Sequence, residues 1–198
     1  MARKTKTKYA FKRTVATYGY LRSLSWIAFR RASQQREGRF YDLMISMLSC
    51  AFTLEAFLNH VGTLKVPGWS SIERNTGPRE KLNRLVSEVA PEANLRKRPF
   101  SSFLEIFRFR DKLVHGKTIT LVVSGEAYLD KDELPPPPLA KWERIINPTI
   151  AQRFLDDTKA IIIHLNTAAG LEKELLFSPA QHEVTVQRAQ TIAAIEHA

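Results

Sequence analysis

The sequence predicts an all-α fold: an antiparallel helical bundle of about five helices, with a proline-rich insertion before the last long helix. Apolar residues recur at helical spacing along most of the chain, and glycine and proline mark the breaks between these segments. One segment, residues 40–64, is apolar nearly all round, as the central helix of a bundle is. The other helices are therefore expected to pack around it.

Two long helices are predicted first. The first covers about residues 18–35, and Gly38 breaks the chain before the second. The second is the central helix over about residues 40–64. Turn-forming residues are expected to close it: Gly62, Pro67 and Gly68.

A loop and two further helices are predicted next. Residues 66–78 are rich in turn formers, and a short helix follows over about residues 79–89. The next helix is predicted to start near Ser102, because Ser102 and Glu105 have the spacing of a capping box. Gly116 suits the C-terminal cap of that helix.

The pattern changes in the last third of the chain. Residues 118–123 are rich in β-branched side chains and predict a short strand or an extended arm. Four prolines at 135–138 predict an extended excursion on the surface. Asn147 followed by Pro148 predicts the start of the last long helix, which runs to about residue 169.

The chain divides into three parts. Residues 1–15 form a basic N-terminal tail, and residues 16–177 form the helical domain, with an insertion at 117–146. Residues 178–198 are predicted to be a C-terminal helical appendage. A chain of 198 residues is long enough for one domain with a sizeable core.

The chain is strongly basic, with 30 lysine and arginine residues against 20 aspartate and glutamate residues and a formal net charge of +10. Such a surplus favours a polyanionic partner, with RNA or DNA first and an anionic membrane surface second. A basic soluble protein without a nucleic-acid role is the alternative on charge alone.

Several classes of site lack support in the sequence. Cys50 is the only cysteine, so neither a disulfide framework nor a cysteine-rich metal site is expected. No P-loop, dinucleotide loop or nucleophile elbow is present, and four histidines show no metal-ligand spacing: His60, His164, His182 and His197. We therefore expect no metal and no cofactor.

Membrane segments are not expected either. No hydrophobic signal core directly follows the basic N-terminus. Residues 43–64 contain too many polar side chains for a membrane span. We therefore expect a cytoplasmic protein without membrane contact.

The strongest candidate site is the stretch from Arg110 to Gly116, which places an arginine, a carboxylate and a histidine close together. An arginine can hold a phosphodiester while a histidine moves protons, which is most of what metal-free RNA cleavage requires. Arg110 lies in phase with the apolar stripe of its predicted helix, where an unpaired guanidinium is costly. Glu55 is the only formal charge between Asp42 and Lys65. A natural solution is for Glu55 to pair with Arg110, or to face the same polar cavity together with Asn59.

Alternatives stay open at this site. Arg110 and Glu55 could form a buried ion pair without chemistry, while His115 caps the helix C-terminus. Arg108 falls seven residues before His115 and could replace Arg110 as the working arginine. Arg110 and His115 are five residues apart and lie well off a common helical face. They converge only if the helix frays before Gly116 or if two subunits contribute them.

Three segments in this order resemble the HEPN domain family. The motif is an arginine, a polar residue, three further positions, a histidine and a glycine after an aromatic-rich helix, and Asp111 fits its polar position. Residues 51–59, AFTLEAFLN, are similar to the acid-bearing second helix of many bacterial members. Residues 79–85, REKLNRL, are similar to the short helix that follows. The resemblance covers roughly residues 18–169, interrupted by the insertion.

The resemblance implies an all-α, often dimeric protein in which two copies of the motif face each other. Many such proteins are metal-independent endoribonucleases of toxin–antitoxin or anti-phage systems, which implies RNA and an antitoxin protein as partners. Arg110 would hold the scissile phosphate, and His115 would act as general acid or base for attack by the RNA 2′-hydroxyl. Asp111 would orient either residue, and Glu55 with Asn59 would buttress the site.

The basic residues around the motif have an expected role in RNA binding. Arg108, Lys112 and Lys117 would steer RNA by charge, with salt-sensitive affinity, and Asn59 would support that binding. Lys117 also occupies a position where some family members carry a tyrosine that a partner nucleotidyltransferase modifies, so regulation by that route is not expected. The alternative function is a non-catalytic helical module that binds nucleic acid, nucleotide or a partner protein.

Overall fold

A computed structural model describes residues 8–124, 136–172, 176 and 180–187. Within these residues six α-helices follow in order: α1 (Thr17–Gln34), α2 (Arg39–Lys65), α3 (Trp69–Asn75), α4 (Pro78–Val89), α5 (Phe100–Val114) and α6 (Pro148–Ala168). Two strands, β1 (Lys8–Val15) and β2 (Ala180–Gln187), pair antiparallel. The chain is thus mostly helical, which confirms the all-α prediction, with six helices in place of about five.

The helix α2 is the centre of the bundle. It packs against α1, α4, α5 and α6. Its inward side chains are completely buried: Met47, Cys50, Ala51, Leu54, Phe57, Leu58 and Val61. By length and composition α2 could also cross a membrane, but 61% of its apolar window is buried inside the protein. Its place in the core therefore accounts for its apolar character.

Small side chains let α1 approach α2 closely. Ser25, Ala28 and Ala32 are all buried on α1. Ser25 Oγ donates a hydrogen bond to the Ser46 carbonyl oxygen at 3.0 Å and lies 3.1 Å from Cys50 Sγ. Burial raises the pKa of the Cys50 thiol to about 11, against the opposing effect of the Ser25 contact. Cys50 is therefore a protonated core residue at neutral pH.

The predicted loop at residues 66–78 is wrong in part, because it contains α3. Trp69 of α3 packs on Gly62 of α2, where an added Cβ atom would lie 2.1 Å from the indole ring. Because Gly62 has no side chain, it leaves room for Trp69 of α3. Gly62 does not end α2, which continues to Lys65. Gly68 precedes α3 with a φ of +71°, a backbone conformation that favours glycine.

The predicted capping box at Ser102 is also wrong. The helix α5 begins at Phe100, and the buried Ser102 hydroxyl donates to Asp157 of α6. The Ser102 hydroxyl therefore pairs with the buried Asp157 carboxylate and does not cap α5. The predicted start of α6 is confirmed, because Asn147 Oδ1 accepts a hydrogen bond from the Ile150 N–H at 3.0 Å.

The chain ends differ from the prediction. Residues 180–187, predicted as part of a helical appendage, form β2 and pair with β1 from the predicted basic tail. Val184, Thr185 and Val186 are β-branched, which favours a strand once a pairing partner is present. Residues 118–123 form neither helix nor strand and are exposed. Parts of the predicted regions lie outside the described residues: 1–7 of the tail, 125–135 of the insertion, 173–175 and 177 at the end of the helical domain, and 178–179 and 188–198 of the appendage.

Candidate functional site

Arg110 is held on α5 by contacts from three directions. Its Nη1 donates to Glu55 Oε2 of α2 at 3.0 Å, and its Nε donates to Asp111 Oδ1 at 2.9 Å. Its guanidinium carbon lies 4.9 Å from the centroid of the Phe107 ring. The predicted Arg110–Glu55 pair is therefore confirmed, and the side chain is 19% exposed.

A third helix contributes Lys81 to the same carboxylate, and the sequence reasoning missed it. Lys81 Nζ lies 3.5 Å from Glu55 Oε1, and the Lys81 side chain is 4% exposed. A signal was present, because Lys81 precedes Leu85 by four residues on the buried face of α4. A lysine in phase with an apolar stripe needs a partner charge, as Arg110 does. We call Arg110, Asp111, Glu55 and Lys81 the Arg110 cluster.

The Arg110 cluster leaves hydrogen-bonding capacity unused. Each Glu55 oxygen contacts a cation, whereas Arg110 Nη2 has no hydrogen-bond partner within the described part of the chain. The Glu55 side chain is 30% exposed and the Asp111 side chain 51% exposed, so solvent reaches the cluster. An arginine with a fixed orientation and an available donor can bind an oxyanion.

His115 lies at the end of α5 and does not contact Arg110. Its backbone N–H donates to the Asp111 carbonyl oxygen, and its side chain is exposed. The helix is continuous through Val114, so no fraying turns the two side chains together. Five residues correspond to about 140° around a helix, and neither a hydrogen bond nor an ion pair joins Arg110 to His115 among the described residues. A histidine that only capped the C-terminus of α5, without a role in catalysis, would lie at the same position.

The predicted RNA-binding cations lie on another face of α5. Arg108, Lys112 and His115 are spaced by four and three residues, which places them on one side of the helix. All three side chains are exposed, and Lys117 is exposed in the segment that follows. Arg108 is therefore the arginine that shares a face with His115 within one chain.

Asn59 is not joined to the Arg110 cluster. It lines a separate cavity of 320 Å³ with Tyr18 and His60, between α2 and the start of α1. Its Oδ1 is buried without a hydrogen-bond partner in the described part of the chain. Burial also lowers the pKa of His60 from its ordinary value of 6.5, which favours the neutral imidazole.

Neither a metal-binding cluster among the described residues nor a comparison with known proteins adds to the description of this site. Over residues 8–124 and the other described segments, no group of three or more histidine, cysteine, aspartate or glutamate side chains could hold a metal ion. Comparison of the chain with protein-family models, curated proteins and solved structures finds no match. The HEPN resemblance therefore stays a hypothesis that rests on the motif residues of the sequence.

Proposed function

We propose that the chain is a metal-independent endoribonuclease of the HEPN type. The observation that supports this is the Arg110 cluster, in which two carboxylates fix an arginine with an unused donor. The helix that bears this arginine ends at an exposed histidine, His115. The net charge of +10 suits an RNA substrate.

The proposed reaction is attack of the RNA 2′-oxygen on the adjacent phosphorus. The new bond to the 2′-oxygen forms as the bond to the 5′-oxygen breaks, leaving a cyclic phosphate and a 5′-hydroxyl. His115 accepts the proton of the 2′-hydroxyl, and the leaving 5′-oxygen takes up a proton from solvent water. Arg110 holds the scissile phosphate and stabilises the charge that develops on its oxygens.

In a homodimer, Arg110 of one protomer would lie near His115 of its partner, although the two residues do not meet within one chain. The outer face of α2 exposes three large side chains at helical spacing, Tyr41, Ile45 and Phe52, and Phe52 lies three residues before Glu55. Exposed apolar side chains along one helix face favour association. A second copy on this face would place its motif beside the Arg110 cluster, so that the two motifs face each other.

The biological setting follows from the resemblance alone. It implies a cytoplasmic protein of toxin–antitoxin or anti-phage defence, held in check by an antitoxin protein. The experiment that tests the proposal therefore addresses the chemistry and not the setting.

The test is incubation of total RNA in EDTA with wild type, His115→Ala and the control His164→Gln. His164 is a suitable control because its Nε2 lies 3.6 Å from Glu92, outside the motif. We expect wild type and His164→Gln to cleave, leaving cyclic phosphate ends. We expect His115→Ala to keep its fold and lose about 100-fold or more in rate, since it lacks the proton acceptor.

Two outcomes would contradict the proposal. Equal cleavage by His115→Ala would exclude the motif as the source of activity. Folded wild type that binds RNA in a salt-dependent manner without cleaving it would favour the non-catalytic binding module.

A further inference from the structure

A groove of 490 Å³ lies between α1 and α6, and Thr53 of α2 forms part of its floor. Thr53 and Glu55 are two residues apart, so they point about 200° apart around α2. The groove and the Arg110 cluster therefore lie on different sides of the central helix. The proposed function uses none of the groove residues.

Aromatic side chains form one wall of the groove. Trp26 lines it and is 52% exposed, beside the half-buried Phe29. The Arg30 guanidinium carbon lies 5.4 Å from the centroid of the Trp26 ring. An exposed indole beside a guanidinium offers a planar π surface next to a positive charge, which is how nucleobases with their phosphates are bound.

The charged residues of the groove are mostly cations. Arg22, Arg30 and Lys159 line it together with one acid, Asp156, which accepts a hydrogen bond from Gln152 at 2.9 Å. Arg30 and Lys159 are exposed and form no ion pair with any described residue. The groove therefore has a positive surplus that an anion would neutralise.

The floor of the groove is polar. Ser25 and Thr158 line it with buried hydroxyl groups. The Thr158 hydroxyl lies beside the Cys50 sulfur and makes no other hydrogen bond within the described part of the chain. Sulfur is a weak hydrogen-bond partner, so this hydroxyl can still serve a ligand.

We propose that the groove binds one nucleotide unit, with its base against Trp26 and its phosphate at Arg30 and Lys159. The cavity volume lies in the range of about 300–1,000 Å³ that is usual for small-ligand sites. The unit is either a free nucleoside phosphate or one nucleotide of a single-stranded RNA, since both present the same base and phosphate. This binding does not depend on RNA cleavage by the Arg110 cluster.

The test uses two probes that the proposed ribonuclease reaction cannot consume. One is a single-stranded oligonucleotide with 2′-O-methyl groups, which lacks the attacking hydroxyl, and the other is adenosine monophosphate. We expect Trp26→Ala to weaken binding of the oligonucleotide about tenfold or more, and Trp26→Tyr to stay within about threefold of wild type. We expect Arg30→Gln with Lys159→Gln to weaken binding and to reduce its salt dependence by roughly one ion per cation removed.

The control is Arg84→Gln, an exposed cation on α4 whose removal should leave binding unchanged. Competition by adenosine monophosphate would assign the site to a free nucleotide, whereas binding of the oligonucleotide alone would assign it to an RNA strand. Binding by neither probe, or unchanged binding by Trp26→Ala, would overturn the proposal. If Trp26→Ala does not fold, the test rests on the variant with both Arg30→Gln and Lys159→Gln, whose replaced side chains are exposed. Because neither probe is cleaved, the result is independent of the His115→Ala assay.

Discussion

Two arginine–carboxylate pairs lie at the two ends of α5, and they are built differently. Before its N-terminus, Arg98 donates to Asp157 of α6 from Nε at 3.0 Å and from Nη2 at 2.8 Å, and Ser102 donates to the same carboxylate. Near its C-terminus, Arg110 gives one donor to Glu55 of α2 and one to Asp111. The first pair saturates one carboxylate, and the second divides one arginine between two carboxylates.

Burial is reversed between the two pairs. The Asp157 side chain is 6% exposed and Arg98 is 58% exposed, whereas Arg110 is the less exposed member of its own pair. The hydrogen bonds and negative charge of Asp157 raise the pKa of Arg98. In the first pair the fold must satisfy a buried carboxylate, and it does so completely. In the second the fold fixes an arginine and leaves a donor unused, as a binding site requires.

The largest expected effect on stability is that of Asp157→Asn. An amide cannot accept hydrogen bonds at both of its polar atoms, so Arg98 and Ser102 would lose part of their pairing. We expect a loss of about 2–3 kcal/mol in the free energy of unfolding, measured by urea denaturation. The exposed neighbour Asp156→Asn should change it by less than about 0.5 kcal/mol. Equal effects of the two variants would show that the buried pair contributes nothing.

The matching substitution in the Arg110 cluster is Glu55→Gln, and its expected effect on stability is smaller. Glu55 is partly solvated, but it is also the ion-pair partner of Lys81, whose side chain is only 4% exposed, so we expect a loss of about 1–2 kcal/mol in the free energy of unfolding. RNA cleavage should fall about tenfold, because Arg110 loses a charged acceptor that orients it. A loss of stability as large as that of Asp157→Asn, with cleavage unchanged, would make the Arg110 cluster a second structural pair.

The smallest effect on stability is expected for a substitution of His60, which belongs to neither arginine–carboxylate pair. Burial lowers its pKa below 6.5, so the unfolded state binds the proton more readily. The stability that neutral His60 contributes is fully present above pH 6.5 and is lost as the pH falls through the pKa of the folded state. We expect His60→Gln to flatten the pH dependence of unfolding by less than about 1 kcal/mol. An unchanged pH profile would contradict the assigned burial.

Elements with strong local signals could be predicted from the sequence. The helices α1, α2 and α6 lie within one or two residues of their predicted bounds, because apolar spacing and the Asn147 cap specify them locally. The Arg110–Glu55 pair could be predicted because Glu55 is the only formal charge between Asp42 and Lys65 and Arg110 lies in phase with the apolar stripe of its helix.

Elements that depend on distant partners could not be predicted. The position of Trp69 depends on the space that Gly62 leaves, and the Ser102 hydroxyl is taken by Asp157. The strand β2 depends on pairing with β1, about 170 residues earlier in the chain. Lys81 had a signal in its phase with the buried face of α4, but its partner became evident only in three dimensions.

The contrast between the two arginines is tested most directly by measuring unfolding and RNA cleavage for Arg98→Ala, Arg108→Ala and Arg110→Ala in parallel. We expect Arg98→Ala to lower the free energy of unfolding by more than Arg110→Ala does, because the buried Asp157 carboxylate loses its charged donor, while the folded fraction of this variant cleaves RNA normally. We expect Arg110→Ala to lose about 100-fold in cleavage with less than about 1 kcal/mol in stability. Loss of cleavage in Arg108→Ala with normal activity in Arg110→Ala would contradict the assignment of Arg110 as the phosphate-binding arginine.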